Sequence, residues 1–348
     1  MNAQRSSDSV PVSSWRSARL FVTDEFAAPP VILRVNDSVI GTLGNFSAST
    51  GKAKSKKTFN VCAIVAAAMT GGTVLNYSAS LPPEKRRILY VDTEQSRFHC
   101  KRVLCRILRL AGLPTDVHPP LLEFLCLRGY ATKERLRKIE EAIYDLDDLG
   151  LVVIDGIRDL AHDINSPGEA TDLITKLMQW TDERRIHIHT VLHLNKGDDN
   201  TRGHLGTELN NKAETVLQIT KDDFDRDISS VAAMHIRDRD FEPFAFRIND
   251  DALPEPVEDY QPRPTSAARS FDYAEVCEAK HREALELLFS ETDRVSYSSL
   301  IGRLQSSYAA IGHSFGINKA KQLKVFLENK RMIVKEDRFY RYNSDFHY

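Results

Sequence analysis

The chain has 348 residues, of which 42% are hydrophobic and 28% are charged, and its formal net charge is -2. This balance excludes a collagen-like, fully disordered or membrane-spanning chain, and it suits two modest domains or one large domain with an appendage. Because the net charge is nearly neutral, any nucleic-acid site must be a local patch. The five cysteines form no C-x-x-C pair or zinc-ligand spacing, and the N-terminus has no apolar signal segment. We therefore expect a cytoplasmic protein with reduced thiols.

Four segments follow one another along the chain. Residues 1–20 are Ser-rich and aperiodic, which predicts a flexible tail. Residues 21–250 alternate short apolar strands with helical stretches, which predicts an α/β core with a mostly parallel, twisted sheet flanked by helices. Residues 251–270 contain four prolines and predict a linker. Residues 271–348 predict a small C-terminal domain of three helices and a hairpin, the layout of a winged helix-turn-helix.

The apolar periodicity locates the elements of both domains. The predicted core strands are Val39–Phe46, Ile88–Asp92, Leu122–Leu127, Leu151–Asp155 and His187–Leu194. The predicted helices between them are Lys57–Thr70, Arg97–Ala111, Lys133–Leu146 and Glu169–Arg184. An antiparallel extension of the sheet is predicted at Glu214–Thr220, Ser230–Arg237 and Pro243–Ile248. The C-terminal helices are predicted at His281–Phe289, Tyr297–Ala309 and Ile317–Asn329, and a hairpin at Met332–Lys335 and Phe339–Tyr342.

The strongest local motif, GKAKSKKT, lies between a predicted strand and a predicted helix. A loop at a helix N-terminus directs unpaired N–H groups and the helix dipole at one point, which suits a phosphate chain. The motif predicts an ATP site in which Lys57 reaches the β- and γ-phosphates and the Thr58 hydroxyl binds Mg²⁺. The nucleotide-binding residues are predicted to be Gly51, Lys52, Ala53, Lys54, Ser55, Lys56, Lys57 and Thr58.

This motif departs from the usual G-x-x-x-x-G-K-[ST] pattern at one position, Lys56, where glycine lets the backbone approach the phosphate. A lysine in a permitted conformation would fit there and add positive charge. The alternative is a basic loop that contacts solvent or nucleic acid.

Three further polar residues follow predicted strands. Asp155 ends an apolar strand and could hold the water shell of a metal ion, at the edge where open α/β sheets bind ligands. Glu94 lies two residues past another strand and could orient and deprotonate a water, and His193 could sense the γ-phosphate. Each has an ordinary alternative: an acidic strand end, a solvated loop acid and a buried histidine. Their order along one α/β pattern favours the nucleotide site.

These segments, GKAKSKKT, YVDTEQ, LVVIDG and HLNK, together with RGHLGTEL, resemble the core of RecA-like P-loop ATPases over residues 35–250. The resemblance is strongest to the RepA-like hexameric replicative helicases of plasmids and to their AAA-type relatives on mobile elements. It implies a parallel sheet with Mg-ATP at its C-terminal edge, and assembly into a ring such as a homo-hexamer. It also implies that Glu94 is the catalytic glutamate, Asp155 the Walker B aspartate and His193 the sensor.

In such rings, a basic residue from the neighbouring subunit completes each ATP site. The candidates here are Lys196 and Arg202, with Arg237 and Arg239 behind them. The resemblance also implies that loops 156–168 and 197–211 face the ring channel and touch single-stranded DNA through backbone amides and the side chains of Arg158, Arg202 and His204. The alternative is that these loops are plain surface or contact other subunits.

The C-terminal domain offers a second candidate DNA surface. Its last helix would bury Ile317, Ala320, Leu323, Phe326 and Leu327. The polar residues of the same helix suit phosphates and base edges of duplex DNA, and the hairpin adds basic residues. These candidates are Asn318, Lys319, Lys321, Gln322 and Lys324 on the helix and Arg338 and Arg341 on the hairpin. The alternative is a protein-docking module.

Three functions fit this sequence. The first is an ATP-driven helicase or loader that acts on DNA in the replication or mobilisation of a plasmid or mobile element. The second is a non-motor, ATP-dependent DNA-binding switch, such as a replication initiator or an excision regulator. The third, which lacks a lid or acceptor-site signature, is a small-molecule kinase. None of them requires a membrane.

Overall fold

The protein is described here from a computed structural model. The described residues are 14–194, 203–222, 225–258, 260, 273–274 and 276–345. The chain divides into two compact units, residues 1–261 and 262–348. Within the described part of the chain, every helix is too short or too polar to cross a lipid bilayer.

Thirteen strands and five α-helices make up the described part of the larger unit. The strands are β1 (Val31–Val35), β2 (Ser38–Thr42), β3 (Phe46–Gly51), β4 (Thr73–Val74), β5 (Tyr77–Ala79), β6 (Arg87–Asp92), β7 (Leu122–Cys126), β8 (Leu149–Asp155), β9 (His187–His193), β10 (Thr215–Lys221), β11 (Ile228–Ile236), β12 (Phe244–Ile248) and β13 (Pro254–Pro256). The helices are α1 (Lys57–Thr70), α2 (Arg97–Leu110), α3 (Thr132–Asp145), α4 (Pro167–Arg184) and α5 (Gly203–Lys212). Short 3-10 helices lie at Ser14–Ala18, Pro83–Lys85 and Ile157–Leu160.

Nine strands form one sheet in the order β13-β12-β11-β10-β3-β9-β8-β6-β7. The six strands from β10 to β7 in this order run parallel, and β11, β12 and β13 continue the sheet in antiparallel pairs. The predicted α/β class, a mostly parallel sheet with an antiparallel extension, is confirmed. The prediction was wrong for the first strand of the extension, because β10 is parallel to β3. The chain enters β10 from α5, and helical connections of this kind join parallel strands.

The predicted strand Val39–Phe46 is wrong, because the chain turns there. Gly44 has a φ of 89°, and the turn separates β2 from β3, which belong to different sheets. β2 pairs in a small four-stranded sheet of order β2-β1-β5-β4.

Helices cover both faces of the large sheet. One hydrophobic core joins α1 and α2 to the sheet and to the small sheet, and a second core joins α3, α4 and α5 to the opposite face. α1 is buried along most of its length, so its alanines lie between closely packed layers. The loop predicted at 197–211 is partly wrong, since residues 203–212 form α5. Residues 195–202 lie outside the described part of the chain.

The beginning of the predicted linker belongs to the large sheet. Pro254–Pro256 is β13, which pairs with β12 at the sheet edge. An edge strand tolerates proline, because its missing N–H can face away from the ladder. Residues 261–270 of the predicted linker lie outside the described residues.

The described part of the smaller unit contains three helices and a three-stranded antiparallel sheet. Its elements are α6 (Glu278–Phe289), β14 (Val295–Ser296), α7 (Tyr297–Ala310), α8 (Ile317–Asn329), β15 (Ile333–Glu336) and β16 (Phe339–Tyr342), with sheet order β14-β16-β15. Ala320, Leu323 and Leu327 are buried as predicted, and Phe326 is half-buried. The prediction for Ile317 was wrong: it begins α8 and is 55% exposed. That this unit is a winged helix-turn-helix stays a prediction.

Candidate functional site: a phosphate loop at the sheet edge

The phosphate loop leaves the middle of the large sheet. β3 lies between β9 and β10, and Gly51 is its last residue. A Cβ atom on Gly51 would lie 2.3 Å from the carbonyl oxygen of Ile219 and 2.5 Å from the Ser55 hydroxyl. Only glycine fits at this position, so the loop can fold back closely against β10 before α1 begins.

Two lysines of the loop adopt left-handed backbone conformations. The φ angles are 66° at Lys54 and 67° at Lys56, which directly precedes α1. The second angle explains why glycine is usual at this position of the motif, since a side chain there costs about 1–2 kcal/mol. Among the described residues, the Lys56 ammonium has no hydrogen-bond partner, and it lies 4.0 Å from the exposed Asp227 carboxylate. Burial lowers its pKa, and Asp227 opposes that shift.

Lys57, the first residue of α1, is buried at the mouth of the loop. Its ammonium donates to the carbonyl oxygens of Gly51 at 2.8 Å and Lys52 at 3.0 Å. Burial lowers the pKa of Lys57 to about 8, although the carboxylates of Asp155 and Glu94 act in the opposite direction. An anion in the loop would stabilise the charged form.

The second residue of α1 meets the end of β8. The Thr58 hydroxyl donates to Asp155 Oδ2 at 2.9 Å, and the buried Tyr90 hydroxyl donates to the same oxygen at 2.9 Å. Burial raises the pKa of Asp155 to about 6, and the nearby Asp92 carboxylate adds to that shift. This pair of oxygen ligands at the loop is the kind of donor set that Mg²⁺ prefers.

The turn after β6 carries the second carboxylate of the site, that of Glu94, and Asp92 at the end of β6 shapes this turn. Asp92 accepts backbone N–H groups from Glu94 at 3.0 Å and Gln95 at 2.7 Å, which fixes the turn after the strand. Glu94 Oε1 lies 3.7 Å from His193 Nε2, and His193 Nδ1 lies 3.0 Å from Lys57 Nζ. Because a charged lysine only donates, Nδ1 accepts and Nε2 carries the proton that faces Glu94. His193 is the main cause of the lowered pKa of Glu94, so this carboxylate is ionised at neutral pH.

All four motif segments border one cavity of about 370 Å³. Its wall includes Lys57, Thr58, Glu94, Asp155 and His193. The Ser55 hydroxyl, also in the wall, is buried and finds no hydrogen-bond partner in the described part of the chain, as expected of a group that meets a phosphate oxygen. Among the described residues, no group of three or more His, Cys, Asp and Glu could enclose a metal ion. The oxygen atoms of Thr58 and Asp155, which lie 2.9 Å apart, fit a Mg²⁺ ion that they would hold together with phosphates.

Tyr90, which donates to Asp155, and two arginines of the cavity wall were missed from the sequence. Tyr90 is two positions before Asp92 on β6, so the alternation of the strand could have placed both on the face toward Asp155. Arg102 and Arg106 of α2 also line the cavity, and only the helical spacing of four residues signals that they share a face. The Arg106 guanidinium lies 3.8 Å from the centre of the Phe59 ring.

The remaining predicted residues of the larger unit do not line the cavity or lie outside the described residues. Arg158 and His204 are exposed, and Arg158 is 3.6 Å from Asp159. Arg237 borders a cavity beside Gly44, at the opposite edge of the sheet, and Arg239 is exposed. Lys196 and Arg202 lie outside the described residues.

The predicted DNA residues of the smaller unit divide into two groups. Asn318, Lys321, Gln322 and Arg338 are exposed. Lys319 and Lys324 are partly buried: Lys319 lies 5.0 Å from the centre of the Tyr273 ring, and Lys324 pairs with Glu328. Arg341 likewise pairs with Glu336 at 2.6 Å.

The fold and the loop before α1 define the class: an α/β protein of the P-loop type. Residues 16–199 match a family described as the AAA domain, which is more than half of the chain. The chain belongs to this family.

No curated protein matches the sequence. Among solved structures, the chain is similar to the RadB recombinase, with 16% identity and a TM-score of 0.44 over 62% of this chain and 92% of that one. It is also similar to the KaiC-like protein PH0186 from the hyperthermophilic archaeon Pyrococcus horikoshii OT3, with 14% identity and a TM-score of 0.43 over 62% of this chain and 91% of that one.

Proposed function

We propose that the protein binds Mg-ATP in the cavity at the phosphate loop and hydrolyses it. One observation carries the proposal: the loop lysine, the hydroxyl–carboxylate pair and the Glu94–His193 pair all border the same cavity. Bound Mg²⁺ would polarise the terminal phosphates. Lys57 neutralises their charge, and Thr58 and Asp155 hold the ion. The ionised Glu94 orients a water and accepts its proton.

We propose further that hydrolysis serves an action on DNA, as in a RepA-like helicase or loader assembled as a ring. The resemblance of the motif series supports this function, and so do the exposed polar residues Asn318, Lys321, Gln322 and Arg338 of the smaller unit. Lys196 or Arg202 would complete the ATP site of a neighbouring subunit.

A non-motor DNA-binding switch is the second candidate. The left-handed lysine at position 56 favours it, because an irregular phosphate loop can bind a nucleotide tightly and turn it over slowly. In this function, the nucleotide sets the assembly state, and hydrolysis only resets it.

Nucleotide binding and hydrolysis by three variants test the site. We expect Lys57→Ala to lose ATP affinity and Glu94→Gln to keep ATP affinity but lose at least 100-fold in hydrolysis rate. Lys212→Ala, an exposed lysine at the opposite edge of the sheet, is the matched control. Unchanged ATP affinity in Lys57→Ala would mean that the site is wrongly assigned.

Stimulation by DNA separates the two candidate functions. A motor should hydrolyse ATP faster with single-stranded DNA, and native mass measurement should detect a ring. If DNA leaves the rate unchanged and no ring forms, the motor is excluded and the switch is retained.

A further inference from the structure

A second cavity, of about 580 Å³, lies at the same sheet edge as the phosphate loop. It lies between the start of α2 and the turn after β7, and its wall includes Gln95, Arg97, Arg128 and Tyr130. None of the described residues in its wall is acidic. The side chains of Arg97 and Arg128 are exposed, so two guanidinium groups offer positive charge to one volume.

The turn after β7 is held in a fixed shape. Arg135 donates from Nε to the carbonyl oxygen of Leu127 at 3.1 Å and from Nη2 to that of Arg128 at 2.9 Å. The N–H of Tyr130 donates to the Leu127 carbonyl at 3.1 Å. Arg128 and Tyr130 are therefore presented from a rigid turn, which lowers the entropic cost of binding a ligand.

An aromatic ring beside the two arginines defines the chemistry of the cavity. Tyr130 is 36% exposed, and the Lys138 ammonium lies 4.6 Å from the centre of its ring. Cationic side chains along a groove with an aromatic stacking partner are the features that bind single-stranded nucleic acids. An acidic peptide would use the charges but would gain little from the ring.

We propose that this cavity binds a single-stranded nucleic acid, with Arg97 and Arg128 on its phosphates and Tyr130 stacked on a base. The inference rests on the proposed action on DNA and states where the single-stranded nucleic acid would bind. It differs from the expectation that loops 156–168 and 197–211 make these contacts.

The cavity proposed for the nucleic acid and the cavity at the phosphate loop share a wall. Gln95 borders both cavities, and its side-chain amide donates to Asp92 Oδ2 at 2.8 Å. Asp92 also fixes the turn that carries Glu94. A nucleic acid that contacts Gln95 therefore acts on Asp92, which positions the Glu94 carboxylate. Binding of DNA would change the rate of hydrolysis through this contact.

Binding of the full-length protein to labelled oligo(dT), and to an abasic strand of the same length, tests the proposal. We expect Tyr130→Ala to weaken oligo(dT) binding by about 5- to 150-fold, and abasic binding much less, because only the former can stack. Arg128→Ala should weaken both, and it should reduce the slope of log affinity against log salt by about 0.7. Neither variant should change hydrolysis without DNA, but both should reduce its stimulation.

Arg109→Ala is the matched control, an exposed arginine about 18 Å from Arg97 along α2. The proposal is wrong if Arg128→Ala and Tyr130→Ala bind oligo(dT) as the wild type does, and the proposed action on DNA survives that result. If the wild type binds no DNA, both fall, while the ATP site is unaffected. Competition by polyglutamate as strong as by oligo(dT) would identify an acidic protein partner and overturn the inference.

Discussion

At the scale of single residues, Lys56 is where the phosphate loop departs most from its pattern. Its φ of 67° is easy for glycine and unfavourable for a lysine. Its ammonium is buried and donates no hydrogen bond to the residues that the structure describes. The residue thus adds charge near the loop at the expense of backbone strain.

Two substitutions separate the backbone strain from the charge at Lys56. Lys56→Ala removes the amine and keeps the strain, whereas Lys56→Gly removes both. We expect the free energy of unfolding of Lys56→Gly to exceed that of Lys56→Ala by about 1 kcal/mol, measured by urea denaturation. Equal stabilities would show that the left-handed conformation carries no cost here.

At the scale of elements, β3 and β9 share a buried chain of hydrogen bonds. The Ser47 hydroxyl lies 2.7 Å from His187 Nε2 and 2.8 Å from His189 Nδ1, and the Ser49 hydroxyl lies 2.8 Å from His189 Nε2. Burial lowers the pKa of His187, and it lowers the pKa of His189 to about 3. Both imidazoles are therefore neutral in the folded protein at pH values where an unfolded chain would protonate them.

This pair makes the fold sensitive to acid. Below the unfolded pKa of about 6.5, only the unfolded chain binds these protons, so stability falls as the pH decreases. For His189 the loss approaches about 1.4 kcal/mol per pH unit and continues toward the folded pKa of about 3. Urea denaturation between pH 7.5 and 5 measures it.

Replacement of His189 should flatten this pH dependence. We expect His189→Gln to lose less stability between pH 7.5 and 5 than the wild type, while His99→Gln, an exposed control, should follow the wild type. A pH dependence unchanged in His189→Gln would exclude His189 as its source.

Periodicity predicted most helices and parallel strands, because their apolar faces repeat regularly. The helices α1 and α8 begin and end at the predicted residues. A polar loop precedes each helix, and the regular apolar spacing stops before the helix ends. The turn at Gly44 and the small sheet were missed. The strands of this sheet have only two to five residues, and its two hairpins are joined by the distant pairing of β1 with β5. Local pattern predicted Lys57, Thr58 and Asp155 as site residues, and these three border one cavity. Tyr90 was not predicted, because only the register of β6 and β8 brings it to Asp155.

At the scale of the whole molecule, the two units have separate hydrophobic cores. The cores of the larger unit contain residues between Ile32 and Phe246, and that of the smaller unit contains residues between Ala284 and Tyr340. Each unit can therefore bury apolar surface without the other.

Removal of the smaller unit should spare the nucleotide site. We expect a chain that ends at Glu258 to fold cooperatively and to bind ATP within about threefold of the full-length affinity, measured by titration with a fluorescent ATP analogue. The endpoint keeps β13 in the sheet. Loss of ATP binding in a folded truncated chain would mean that residues beyond 258 contribute to the site.

Arg106 ties the end of the larger unit's chain to the beginning of α1. Its Nε donates to the Ala252 carbonyl oxygen at 3.0 Å while its guanidinium lies on the Phe59 ring, and Phe59 follows Thr58 directly. The Arg106 side chain thus couples the position of the chain just before β13 to Phe59, and through it to the first turn of α1. A displacement of that edge of the sheet would be felt beside Thr58.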